Sequence, residues 1–148
     1  NSRFKRLIAK ILNFSHKKKF KEKLKKKILE KKENLKKIEK VIHPLVRKEM
    51  VAFQKKNKNK KLLFLEIPLL IENKLNKYFD SIIFIKSNYK TRLKRFKSNG
   101  GNEKLFSLLN NHQLTDRQKI KFCDYVVVNN KSLFLLKKKL SNIINLYE

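Results

Sequence analysis

Apolar residues recur along this chain with two periods, and the switches between them mark its elements. Near the amino end Phe4, Leu7, Ile8, Ile11 and Leu12 fall at helical spacing behind Ser2, a suitable N-cap. Residues 17–32 are lysine-rich with Phe20, Leu24 and Ile28 on one stripe, which predicts a solvated helix with a narrow buried face. Asn34 is placed to cap a further helix that turns Leu35, Ile38 and Ile42 inward. Pro44 is expected to break that helix, because proline has no N–H to donate and clashes with the preceding turn. It also suits a first helical position, so a fresh helix is predicted from Pro44 through Met50 and Phe53 to a loop at 55–61.

Beyond residue 61 short apolar runs appear. The stretches 62–67, 81–85 and 124–128 read as strands, separated by helical patterns at 69–79, 88–97, 102–110, 115–121 and 132–147. Thr115 and Gln118 have the spacing of a capping box. In the last helix Leu133, Leu136, Leu140, Ile143 and Tyr147 share one predicted inward face. Strands alternating with helices imply the α/β class, with a parallel sheet flanked by helices. At 148 residues the chain is a single domain by length.

Candidate chemistry sits where these elements end. Four apolar residues at 62–65 lead into Glu66, and open α/β folds place ligand chemistry at the carboxyl ends of strands. The plain alternative is a core strand with an incidental acid at its exit. Arg92 and Arg95 lie one turn apart on the helix predicted at 88–97, in a chain whose other arginines stand only at 3, 6, 47 and 117. Lysine therefore supplies 34 of the 40 basic residues, and the formal charge is +28. Arginine-poor, dispersed basicity is not the pattern of a dedicated nucleic-acid surface, which favours clustered arginine forks. It will still attract polyanions in a salt-sensitive way. The single cysteine, Cys123, excludes a disulfide framework and a thiolate zinc site and fits a reducing cytoplasm. No apolar run approaches the ~18 residues of a membrane span.

Four motifs occur in a telling order: LKKIEKVIHPLVRKEM at 35–50, LLFLEIPLLIE at 62–72, YKTRLKR at 89–95 and, after Gln113, KIKFCDYVVVNN at 119–130. This order resembles the dephospho-coenzyme A kinase family, with its "LEKIIHPLVR", "DIPLLFE", arginine-bearing lid, glutamine and "ADYVIxN". The resemblance runs from about Leu24 to the end, and Glu66 stands where the family more usually has aspartate. It implies a P-loop-kinase-like sheet with a helical lid: 33–79 as acceptor side and central strand, 87–121 as lid region, 122–148 as last strand and carboxyl-terminal helix. It also implies ATP-dependent phosphorylation of the 3′-hydroxyl of dephospho-CoA, with ATP and Mg²⁺, in the cytoplasm. Arg92 and Arg95 would clamp the transferring phosphate, and Glu66 would help order Mg²⁺ through water. His43, Pro44, Arg47, Pro68, Leu69, Leu70 and Glu72 would meet the acceptor. Lys97, Arg117 and Asn129 would lie on the nucleotide side.

The family's amino-terminal strand and P-loop have no counterpart here. A P-loop needs Gly-x-x-x-x-Gly-Lys-Ser/Thr so that successive N–H groups cradle phosphates. The only glycines are the adjacent Gly100 and Gly101. The chain is therefore expected to be an amino-terminally incomplete, single kinase domain, inactive as it stands and prone to self-association at an open sheet edge. Two alternatives remain open: a basic helical nucleic-acid-binding module, and another P-loop nucleoside or nucleotide kinase.

Overall fold

A computed structural model describes residues 2–15 and 19–148, with side chains from Lys5 onward. The expected N-cap role of Ser2, the inward place of Phe4 and the start of the 17–32 stretch lie outside the described residues. The chain divides into two compact units, Asn1–Leu65 and Glu66–Glu148.

The first unit is three packed helices: α1 (Ser2–Ile11), α2 (Phe20–Glu30) and α3 (Glu33–Lys56). Its core draws on the predicted stripes, with Ile8, Leu12, Ile28, Ile38 and Met50 buried, but it adds Ala9 and leaves Leu7 of the first stripe exposed. Two expectations fail here. Asn34 does not cap its own helix; its Nδ2 donates to the Lys27 carbonyl at 2.7 Å, closing the end of α2. The expected break at Pro44 is also absent, since α3 runs through it without interruption. An interior proline costs about 3 kcal/mol. Burying Ile38 before it and Met50 beyond it contributes about 1.5–3 kcal/mol each, enough to hold one continuous helix.

The second unit contains a two-stranded parallel sheet, β1 (Ile83–Lys86) and β2 (Tyr125–Val128), in register from Ile83 opposite Tyr125 to Lys86 opposite Val128. The crossover between them carries α4 (Tyr89–Ser98), α5 (Glu103–Asn111) and α6 (Asp116–Ile120), and α7 (Leu133–Ile144) follows. This is the predicted α/β arrangement, with helices flanking a parallel sheet. The capping box is present: the Gln118 N–H donates to Thr115 Oγ1 at 3.3 Å, and the Thr115 N–H donates back to Gln118 Oε1 at 2.9 Å.

The segment 62–67 is a correction, because it carries no regular secondary structure. A strand exists only where a neighbour takes up its N–H and C=O groups, and no described residue pairs with it. The helix expected at 69–79 is a second correction: turns occupy 68–74, and a 3₁₀ turn spans Asn76–Tyr78. Leu69 (φ 55°) and Lys74 (φ 54°) adopt left-handed backbone, which a right-handed helix cannot include. The turn is held by its own bonds, with the Asn73 N–H and Nδ2 both donating to the Leu69 carbonyl at 3.0 and 2.8 Å. Leu75 then anchors it in the core. In α7 only the middle of the predicted face is covered. Leu136, Leu140 and Ile143 are half-buried, whereas Leu133 is 70% exposed and Tyr147 lies past the helix end.

The two glycines terminate α4. Gly100 takes a left-handed φ of 74°, its N–H donates to the Lys97 carbonyl at 3.0 Å, and the Gly101 N–H donates to Phe96 at 3.0 Å. This is the 5→2 and 6→1 bond pair of a Schellman cap. Phe96 and Tyr89 then pack on Phe106 of α5, with ring centroids 5.5 and 5.2 Å apart.

Candidate active site

In the second unit the chemistry gathers at the carboxyl ends of β1 and β2. Asn129 leaves β2 with its N–H donating to the Lys86 carbonyl at 2.7 Å. The Ser87 hydroxyl lies 3.0 Å from both the Asn129 carbonyl and Asn130 Oδ1, and the Asn88 N–H donates to Asn130 Oδ1 at 2.9 Å. Asn88 in turn caps α4, accepting from the Thr91 N–H at 2.8 Å. The strand exits and α4 are thus tied into one polar cluster.

The two arginines of α4, Arg92 and Arg95, are in different states. Arg95 donates from Nη1 to the Asn129 carbonyl at 3.0 Å, and its Nη2 lies 3.4 Å from Asn129 Oδ1. Arg92 is half-buried, and its solvent-shielded Nε meets no acceptor among the described residues. Lys97 is engaged with Glu103 Oε2 at 2.7 Å. Arg117 is exposed in the first turn of α6.

A second cluster links the 68–74 turns to α6. Glu72 Oε1 accepts from the Leu114 N–H at 3.0 Å and lies 3.1 Å from Lys119 Nζ. Glu66 is exposed; Pro68 is exposed too, while Leu69 and Leu70 are half-buried. Among the described residues no group of three His, Cys, Asp or Glu side chains could hold a metal ion. Cys123 Sγ donates to the Lys119 carbonyl at 3.2 Å. Burial first, then the Asp124 carboxylate, push its thiol above the ordinary range, with Lys119 opposing. A thiol so placed is a poor nucleophile.

In the first unit His43, Pro44 and Arg47 lie on α3. His43 is half-buried, and Pro44 and Arg47 are exposed. His43 was expected at a helix junction, but the unbroken α3 puts it mid-helix, away from helix-end backbone groups. The spacing of His43 and Arg47 places both on one face of that helix.

Sequence reasoning missed Ser87, Asn130 and Lys119. A paired Asn-Asn after an apolar strand was a usable signal for Asn130. Nothing local distinguished Lys119 among so many lysines.

A family model described as dephospho-CoA kinase matches residues 10–134. The chain is 35% identical over 121 residues to a dephospho-CoA kinase of Fusobacterium nucleatum, covering 79% of this chain and 61% of that protein. It is 33% identical over 125 residues to one of Bartonella quintana, covering 82% and 64%. A dephospho-CoA kinase of Rickettsia bellii is 28% identical over 109 residues, covering 73% and 57%. The chain thus spans about three-fifths of the length of the curated relatives it matches.

Proposed function

The chain belongs to the dephospho-CoA kinase family, and from that premise we propose that it serves the ATP-dependent phosphorylation of the 3′-hydroxyl of dephospho-CoA. The observation that carries the reading is the junction of the lid with the strand exits. Arg95 of α4 reaches Asn129 just past β2, with Arg92 one turn away and its Nε uncommitted among the described residues. Ligands of open α/β sheets bind at the carboxyl ends of strands, and planar guanidinium forks match phosphate oxygens where lysine does not.

Phosphoryl transfer is catalysed mainly by positioning and charge neutralisation. In this reading Arg92 meets the transferring phosphate, Arg95 holds Asn129 at the nucleotide edge and assists Arg92, and Arg117 lies on the nucleotide side. Lys97 contributes there only by leaving Glu103. His43 and Arg47, on one face of α3, and the neighbouring Pro44 are the first unit's own candidates for dephospho-CoA. Pro68, Leu69 and Leu70 wall the acceptor, and Glu72 stands at the end of that wall. The left-handed backbone of Leu69 is the strain that functional segments carry. Glu66 is a lone exposed carboxylate, so it suits Mg²⁺ only through water, alongside nucleotide phosphates. The proposed setting is cytoplasmic. Among the described residues no helix is long and apolar enough to cross a membrane.

One observation favours a second reading. The first unit, residues 1–65, carries 24 of the 40 basic residues, and such charge asymmetry is a feature of polyanion-binding chains. Titration calorimetry with dephospho-CoA, adenosine and a short RNA separates the readings. The kinase reading expects dephospho-CoA to bind in preference to adenosine and to lose affinity in Arg47→Met. It is overturned if adenosine and dephospho-CoA bind alike while RNA binds tightly at physiological salt. A steep fall of RNA affinity with salt would mark the non-specific electrostatic attraction already expected from the charge. Because the 148 residues hold no glycine-rich phosphate loop, binding is the direct test on this chain.

A further inference from the structure

Glu72 ends the segment read as the acceptor wall, yet its carboxylate is engaged inside the protein. Oε1 accepts from the Leu114 N–H at 3.0 Å and forms an ion pair with Lys119 Nζ at 3.1 Å, and the Glu72 and Lys119 side chains are only 15% and 14% exposed. Lys119 is fixed from other sides as well: Nζ donates to Gln113 Oε1 at 2.8 Å and lies 5.9 Å from the centroid of the Phe84 ring on β1. Breaking so shielded a pair leaves a stranded charge, which is costly.

The turn carrying Glu72 does not need this carboxylate to keep its shape. Asn73 bonds twice to the Leu69 carbonyl, and the Leu75 N–H donates to Leu70 at 3.0 Å. What the carboxylate adds is attachment. It grips the segment just before α6 at Leu114 and α6 itself at Lys119, and Arg117 lies between those two points. The α6 capping box is local to Thr115 and Gln118, so it shapes the helix without placing it.

We infer that Glu72 is a positioning residue rather than an acceptor contact: through Lys119 and the Leu114 N–H it fastens α6, and with it Arg117, to the acceptor-side turn. The inference rests on the kinase reading for the roles of Arg117 and the 68–70 wall; the fastening itself rests on the geometry. Removing the carboxylate therefore loosens the nucleotide side while the acceptor wall stays in place.

The test uses Glu72→Gln, Glu72→Met, Lys119→Met and the Glu72→Met/Lys119→Met double variant. Amide hydrogen exchange over 113–120 is followed without ligand, and affinities for ADP and dephospho-CoA are measured by calorimetry. Each Met variant is expected to speed exchange over 113–120 by about tenfold or more, and the double variant no further than the worse single one, as for residues acting as one unit. Glu72→Gln keeps an acceptor for Leu114 and is expected to fall between wild type and Glu72→Met. ADP affinity is expected to drop about tenfold in Glu72→Met, with dephospho-CoA affinity within about twofold of wild type. Unchanged exchange overturns the inference. So does a large loss of dephospho-CoA affinity without a loss for ADP, which would make Glu72 an acceptor contact. A lowered melting temperature with both affinities intact also overturns it, leaving a purely structural pair. If the wild-type chain binds neither ligand, the kinase reading falls, and exchange over 113–120 alone decides the fastening.

Discussion

The Arg95 guanidinium donates to the backbone carbonyl of Asn129 at 3.0 Å, joining α4 to the exit of β2. An arginine that grips the main chain of the proposed nucleotide edge couples the two. Arg95→Lys keeps the charge but cannot span the carbonyl and Oδ1 together. Because the group is exposed, its loss is expected to cost about 1 kcal/mol or less in stability. Amide exchange at Asn129 and Asn130 is expected to rise, and nucleotide affinity to fall several-fold. Wild-type exchange at both positions would show that the contact does not hold the turn.

Arg92 is expected to behave in the opposite way. Its shielded Nε has no acceptor among the described residues, so the free protein carries a desolvated donor that contributes nothing to folding. Arg92→Met keeps the length of the aliphatic stem and removes that donor, so the melting temperature is expected to hold or rise by about 1 kcal/mol equivalent. Binding of ATP or tripolyphosphate is expected to fall more than in Arg95→Lys. A variant that is clearly destabilised with unchanged phosphate affinity would place Arg92 in the scaffold instead.

The contrast between these two arginines was not legible in the sequence, where they are equivalent helix-face residues one turn apart. Local signals did carry through. The Thr115–Gln118 capping box depends on neighbours a few residues away, and the strands near 81–85 and 124–128, which find each other as partners, lie within about two residues of the predicted bounds. Pro44 misled because tertiary burial of Ile38 and Met50 outweighs a local preference. The apolar run at 62–67 misled because hydrophobicity specifies burial, whereas a strand also needs a partner for its backbone. Glu72 and Lys119 meet only through the fold, and no spacing rule links them. Family-level motifs nevertheless pointed to α4 and β2, since those motifs lie inside single local elements.

The tyrosine pair below the sheet offers a titration with a definite sign. The hydroxyls of Tyr125 and Tyr147 lie 3.2 Å apart, and Tyr147 also lies 2.9 Å from Ser81 Oγ. The hydrogen bond with Tyr147, followed by partial burial and nearby negative charge, raises the Tyr125 pKa above its ordinary value of 10.0. A phenol with a raised folded-state pKa contributes stability that is complete below the unfolded value. That stability is lost as pH rises through about 10 and on through the folded value. Absorbance titration at alkaline pH is expected to show one late-ionising tyrosine, and Tyr147→Phe is expected to bring it back toward the ordinary range. A Tyr147→Phe curve superimposable on wild type would remove Tyr147 as the cause.

The Schellman cap of α4 makes its two glycines unequal. Gly100 is there for its left-handed φ of 74°, so Gly100→Ala is expected to cost about 1 kcal/mol, the usual penalty for a Cβ in that region. Gly101 is there for space: a Cβ would fall inside van der Waals contact with three atoms of the Phe96 ring. That ring cannot swing away freely, because it packs on Phe106, which is itself buried and also meets Tyr89 edge-to-face. Gly101→Ala is therefore an overpacking change, with a cost of about 1–3 kcal/mol. It acts where α4 meets α5, so it is also expected to disturb the ring packing that sets their angle. Gly101→Ala combined with Phe96→Leu, which makes room, is expected to recover part of the loss. Chemical denaturation of the three variants decides the matter. If Gly100→Ala proves the more damaging, or Phe96→Leu gives no recovery, then backbone conformation rather than the close approach to Phe96 governs this end of α4.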